Sequence, residues 1–598
     1  MKKFRPDRGQ VCIGAVWAFL CLLSAILLRA ILWGAEPGSI FGHLKYGIAY
    51  LLSGGKRTLL ELVILCGAVG CAAAAGWKSP KRLFVPGLLL ALFFGGNTLI
   101  DQSPTGMLQS LVGFPEASPT ENILFWLTQV GSWYALILLF CRWMQRPVEK
   151  GQNLCKSIRR QMLWALVILL CWSPILILRS PGSIFRDTDA QILQFQGQLP
   201  FEASNPLILS FVYGPIFSLG QGLGGDNVGI FLCVLFQLLL TLYAFSFACE
   251  EVVTARGSVL SGALLCLFFG IGPNYGSLVA AVLKDSIHAP LYLLFFLYYR
   301  RTTVSNEKKD WVWLAVLAAL VALTRKGAVY LAVLSLLGLM LVRSDKKKVL
   351  TLGTCALLAL HFCLNGVLYP ILGVEKPMEK ENYSFFYPIT GYYCAKHRDE
   401  LTQQEKDIIG AVLDYDTVCT GFSTRGVDTI KSTYHAESKK AVSDYLALHV
   451  KWLFRHPVTC LEALVYSRSY YFTPWSVQGE RITVSMSPFS EVKEGAQSNF
   501  SHWIPEDTRK AVEDRLWSLT DAPIVKELSS PGTYTWLCLA LLAAAIYGHN
   551  RRKKGMLLPL VLLTAGLLLT HLNGAIRYAS PLLYCVPVAV GLFRCETK

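Results

Sequence analysis

The chain has 598 residues, 53% of them hydrophobic and only 16% charged, and a mean hydropathy of +0.43. Apolar runs on this scale exceed what a water-soluble core could bury, so a soluble globule is excluded and a polytopic membrane protein is expected. The formal net charge of +16 does not point to nucleic acid, because Lys and Arg gather in short loops between pairs of apolar runs.

Counting runs able to cross a hydrocarbon layer gives an all-α protein of about 14 transmembrane helices, some of them short. The basic loops run from Lys2 to Arg8, Lys78 to Arg82, Arg142 to Arg160, Arg300 to Lys309, Arg343 to Lys348 and Arg551 to Lys554. The positive-inside rule puts them, and with them both termini, in the cytoplasm.

Residues 1–160 read as an N-terminal four-helix membrane region, with runs near 12–33, 58–76, 83–100 and 123–143. The first lacks a small-residue cleavage site and reads as a retained helix. Glu61 lies near the end of its run. An acid at the bilayer centre would cost about 2.5 to 3.5 kcal/mol, so the absence of central charges argues for support rather than an ion path.

Residues 161–369 read as a membrane core. Its first run, Met162 to Leu178, emerges outside at Arg179, which makes 179–227 a first extracytoplasmic loop. That loop carries Asp187, Asp189, Gln191, Gln194, Gln196, Glu202 and Asn205. The apolar stretch from Pro206 to Leu219 is too short for a full span and reads as interfacial or re-entrant. Further spans are expected near 228–249, 258–272, 286–299, 311–324, 327–342 and 349–369.

The composition then turns polar and Tyr-rich over 370–531, long enough for an extracytoplasmic domain. Val442, Leu446, His449, Val450 and Leu453 follow a helical period there and mark an amphipathic helix interrupted at Pro457. Cys394 and Cys419 lie in the same block. A disulfide between them would contribute about 3 kcal/mol, but two thiols do not fix a pairing. Residues 532–598 form a C-terminal three-helix membrane region, its last span preceded by Arg577-Tyr578.

Several polar residues at these borders suggest chemistry. Asp187 and Asp189 have a spacing that suits a divalent metal, or either could act as a base; the plain alternative is an acidic first turn of a helix. Lys284-Asp285 could hold a lipid-linked phosphate, or be an ion pair worth at most about 1 kcal/mol. Arg325-Lys326 is a basic turn on the outer side, against the positive-inside rule, and suits an anionic ligand. Arg577 could grip phosphate oxygens in bidentate fashion, or simply snorkel. The histidines at 397, 435, 449, 456 and 502 lack metal-ligand spacing apart from a loose His449 and His456 pair, for which interface packing is expected. Without a Walker loop, GxGxxG fingerprint, HExxH or GxSxG, nucleotide hydrolysis and zinc peptidase chemistry are unsupported.

Pro181-Gly182 through Asp187, Gln191 and Gln194, Asn205-Pro206, Lys284-Asp285, Arg325-Lys326-Gly327, His456-Pro457 and Arg577-Tyr578 to Pro581 together carry a resemblance. Over residues 160 to 598 the chain resembles a family of uncharacterised bacterial multi-pass proteins that looks related to the GT-C glycosyltransferases. Asn205 and Lys326 depart from it, since many relatives show His-Pro at the first place and a residue such as Asn at the second.

The resemblance implies a GT-C-like core with a mainly helical extracytoplasmic insertion, in a bacterial cytoplasmic membrane. It implies a glycosyltransferase moving a sugar from a polyprenyl-phosphate carrier to a cell-surface glycan or glycolipid acceptor at the outer face. Asp187 or Asp189 would then be the base or hold a divalent metal, while Lys284, Asp285, Arg325, Lys326, Arg577 and Tyr578 would contact the lipid phosphate. Membrane lipids are the other expected partner, and nucleic acid is not one. The alternatives are a transporter or flippase of lipid-linked saccharides, or a noncatalytic assembly protein working through 370–531.

Overall fold

The structure, a computed structural model, describes residues 8–32, 42, 44–45, 66–67, 70, 81–100, 119–146, 151–272, 274–422, 427–473, 489, 492–496, 499–520, 525–569 and 574–595. Most of the expected span near 58–76 with Glu61, the loop around Lys78 and both chain termini lie outside the described residues.

Helices dominate, because apolar chain without water must close its backbone hydrogen bonds locally. The only named strands among the described residues are β1 (Ser183–Ile184) and β2 (Ala281–Val282). Among the described residues, five helices are long and apolar enough to cross a membrane: Ile158–Leu178, Leu207–Gly224, Asp226–Arg256, Ser344–Ile371 and Ile576–Phe593. The expectation of about 14 is therefore too high for the described residues. Several expected spans are shorter helices, such as Val259–Ile271, Ala328–Val342 and Pro531–Tyr547. Lys284–Thr302 carries Lys284, Asp285, Arg300 and Arg301 within 19 residues.

The long and short helices run between two ends. At one end the basic loops converge. Arg160 and Trp164 donate to Glu250, at 2.9 to 3.0 Å. Glu251, almost wholly buried, meets Lys156, Arg300 and Arg301. Arg343 donates to the Thr302 carbonyl at 2.8 Å, Arg256 to the Gly591 carbonyl at 2.7 Å and Gln145 to the Ala544 carbonyl at 2.6 Å. Arg551 reaches the Leu341 carbonyl. Loops that the sequence groups by charge are thus grouped in space, and buried Glu250 and Glu251 let the cations approach one another.

At the other end the 179–227 loop meets parts of the 370–531 block. The Trp503 N–H donates to the Ser180 carbonyl at 3.0 Å, and Arg179 pairs with Glu513 at 3.0 Å. Asn499 donates to Asp226 at 2.9 Å, and Glu375 donates to the Phe201 carbonyl at 2.7 Å. These contacts fix the course of Leu207–Gly224. It starts beside Asn205 and ends beside Asp226, both at this end, so it does not run to the basic end despite its 18 residues. Gln191 and Gln196, on one short stretch, reach its two extremities, Pro206 at 3.3 Å and Gln221 at 3.1 Å.

The main core fills the space between the ends and takes in Tyr470, Tyr471, Phe472 and Phe489 from the polar block. A separate core forms from Tyr387 to Tyr466 and includes Tyr393, Leu448 and Trp452. The expected amphipathic helix is Lys439–Arg455, but its buried face is Val442, Tyr445, Leu448, His449 and Trp452, while Val450 and Leu453 are exposed. Aromatic Tyr445 and Trp452 fill this core in place of the aliphatic residues the periodicity favoured. Cys394 and Cys419 are free and buried, each thiol in contact with the other.

Candidate functional site

The site is built where two helices begin side by side. β1 and β2 pair in parallel with Ser183 opposite Ala281 and Ile184 opposite Val282. Helix Arg186–Phe195 starts directly after β1, and helix Lys284–Thr302 directly after β2. The parallel register brings the first turns together, and with them Asp187 and Lys284.

Non-helical backbone in an apolar surrounding must be satisfied by the protein itself. Besides the pairing with β1, side chains satisfy the carbonyls in and around β2. Gln237 donates to the Val279 and Ala281 carbonyls at 2.6 and 2.9 Å. Thr188 takes the Val282 carbonyl at 2.9 Å, and the one Tyr213 hydroxyl proton is shared between the Leu283 carbonyl at 2.7 Å and the Gln237 amide oxygen at 2.9 Å. The Ser286 hydroxyl lies 2.8 Å from both the Leu278 and Ala281 carbonyls and shares its one proton between them. Gly182 has a φ of +141°, and a Cβ there would lie 2.5 Å from Val234, so only glycine lets β1 sit this close.

Within this frame the Lys284 ammonium donates to Asp187 Oδ2 at 3.0 Å and to Asn205 Oδ1 at 2.7 Å. The Asp187 side chain keeps 37% of its exposure, so it is the open face of the pair. Burial raises its pKa, but the charges of Lys284 and Arg577 and hydrogen bonds from Lys284 and Asn205 outweigh this and hold the carboxyl below its ordinary value. It is an anion at neutral pH.

A second set of contacts lies beside the first. Arg325 pairs with fully buried Asp285 at 3.3 Å and donates to the Tyr578 carbonyl at 3.3 Å, with its guanidinium 5.1 Å from the Tyr578 ring centre. Arg577 lies 5.4 Å from the same ring centre and 6.0 Å from that of Phe185. Thr324 and His288, 2.9 Å apart, lie under the Arg325 turn, which Gly327 closes with a φ of +81°.

The structure thus brings together Asp187, Lys284, Asp285, Arg325, Arg577 and Tyr578, all chosen from separate stretches of sequence. Asp189 and Lys326 do not join them. Residues two apart on a helix face different ways, and Asp189 is completely buried while Asp187 faces Lys284. Lys326 is exposed on the turn. A divalent cation shared by Asp187 and Asp189 would need carboxylates that converge, and it would sit beside an ammonium; the arrangement disfavours it. Asn205 and Phe185 also contribute contacts; both lie within the motifs that carry the resemblance, but neither was named as a site residue.

No curated protein and no solved structure gives a significant match to the chain. The profile of one family matches residues 199–598, which take in Asn205, Lys284, Arg325 and Arg577 and begin after Asp187. The chain belongs to that family, a family of unknown function (DUF6020).

Proposed function

We propose that this chain is a GT-C-type glycosyltransferase of a bacterial cytoplasmic membrane, with the basic end cytoplasmic and the Asp187 end outside. It transfers a sugar from a polyprenyl-phosphate carrier to a cell-surface glycan or glycolipid. The observation that carries this reading is the half-buried Asp187 carboxylate set against Lys284, with Arg577 and Arg325 close by, at the end opposite the basic loops.

The chemistry follows from the charges. The acceptor hydroxyl oxygen bonds to the sugar's anomeric carbon as the bond from that carbon to the phosphate oxygen breaks. Asp187 takes the hydroxyl proton, and the electron pair stays on the departing phosphate, next to Lys284, Arg325 and Arg577. Two adjacent helix N-termini add partial positive charge at the same place.

Asp187 clamped by Lys284 is a weak base, since the best catalytic base titrates near the working pH. A donor phosphate that draws Lys284 away frees the carboxylate and raises its basicity, so the base becomes active when the donor is bound. A flippase would need polar residues along a path between the ends. Here the Lys284–Thr302 helix is lined between its charged ends by buried Tyr292, Phe295, Phe296 and Tyr299, which favours the transferase.

The test is release of polyprenyl phosphate from a lipid-linked sugar by purified protein in lipid nanodiscs with an acceptor glycan. Wild type is expected to release it, and Asp187→Asn to do so at least about a hundredfold more slowly. Equal rates would remove Asp187 from the chemistry.

A further inference from the structure

Outside the candidate site, in the unit with its own core, three side chains converge that the sequence did not connect. His397 follows helix Tyr387–Lys396, Glu400 closes the short turn Arg398–Glu400, and His456 links helices Lys439–Arg455 and Pro457–Tyr466. One ligand atom from each lies within 4.8 Å of the others. His397 Nδ1 is 2.8 Å from Glu400 Oε1, and His456 Nε2 is 3.2 Å from Glu400 Oε2. We propose that His397, Glu400 and His456 bind a divalent transition metal, with Zn2+ the ion best suited to two imidazoles and a carboxylate.

Three features support a built site. The backbone at both junctions is fixed: the His397 N–H donates to Tyr393 and the His456 N–H to Trp452, each at 2.8 Å, and the Tyr393 and Trp452 rings stack 4.1 Å apart. Next, His397 Nε2 is 3.0 Å from the Thr459 hydroxyl. When that nitrogen carries the proton and donates it, Nδ1 presents its lone pair to the cluster, the usual outer-shell device at metal sites. Last, His456 Nε2 is shut off from solvent and makes no hydrogen bond, although the carboxylate oxygen is 3.2 Å away. It is out of line for donating to that oxygen.

Three protein ligands leave a position open, and Glu400 faces solvent with 48% of its side chain exposed, so an ion has a route in. Arg455 stands 3.6 Å from Glu400 Oε2 and opposes a cation there, which sets a modest affinity. The sequence paired His456 only loosely with His449, which is instead buried and bonded to Thr390 and Tyr445.

The test is Zn2+ binding to the full-length protein in detergent, purified without a polyhistidine tag and stripped with chelator, read by calorimetry and by metal content after dialysis. One Zn2+ per chain is expected, with His456→Ala and Glu400→Gln weakening it by at least about tenfold. Arg455→Ala should bind Zn2+ more tightly, and Asp187→Asn should bind it as wild type does. Glu400→Gln is nearly isosteric and keeps the test sound if His456→Ala misfolds. Binding that is absent, unchanged in Glu400→Gln, or lost in Asp187→Asn would overturn the assignment.

Discussion

At the scale of single residues, two acids two positions apart meet opposite fates. Asp187 faces Lys284 with part of its surface open, and Asp189 is wholly buried. Asp187→Asn should remove transfer and lower the unfolding temperature only by what the lost pairing with Lys284 contributes. Asp189→Ala should cost about 1 to 3 kcal/mol of stability, the range for losing a buried polar group's role, read as a lowered unfolding temperature in detergent.

The Asp187 pKa gives a second expectation with a definite sign. Its depressed value means that the stabilising pairing with Lys284 is complete above the unfolded carboxyl pKa of about 3.9 and is lost as pH falls through the lower folded value. In Lys284→Gln, burial still raises the pKa while the largest opposing charge is gone. The acidic limb of the pH–rate profile should therefore move to higher pH than in wild type. An unmoved limb would mean that another group sets it.

The charged members of the cluster were legible in the sequence because charge at the border of an apolar run is costly and stands out. Asn205 and Phe185 stood within named motifs but received no role in the site, since an uncharged residue in a loop has no such cost and only the fold gives it neighbours.

At the scale of elements, the pairing of β1 with β2 holds the site in register. Two-residue strands have no period to read, so this pairing left no mark in the sequence beyond glycine at 182 and polar residues within apolar runs, such as Gln237 and Tyr213. Both kinds of residue should be sensitive to change. Gly182→Ala combines a positive φ with a Cβ set 2.5 Å from Val234 and should destabilise by about 1 to 3 kcal/mol. Tyr213→Phe removes the one proton that the Leu283 carbonyl and the Gln237 amide oxygen share. It should slow transfer more than it lowers substrate binding, because it loosens the turn from which Lys284 projects. A kcat and KM measured together on both variants would separate misplacement from unfolding.

At the scale of the whole molecule, the all-α character and the gathering of the basic loops were legible, because apolar length and loop charge are properties of composition. Among the described residues fewer helices than expected are long enough to cross, because apolar runs such as Val259–Ile271 end short of that length, and a run as long as Leu207–Gly224 can begin and end on one side. The two-ended arrangement makes a topological prediction. Single cysteines placed at 187 and 400 should react with a membrane-impermeant thiol reagent from outside intact cells, and one at 309 only after permeabilisation.

The central claim is tested most directly in cells that lack the protein, by measuring surface glycans and lipid-linked sugars after rescue with wild type or Asp187→Asn at equal protein level. Deletion is expected to remove a sugar from the surface and accumulate its polyprenyl-linked donor, with wild type restoring both and Asp187→Asn restoring neither. Full rescue by Asp187→Asn would contradict that claim and leave Asp187 with a structural role alone.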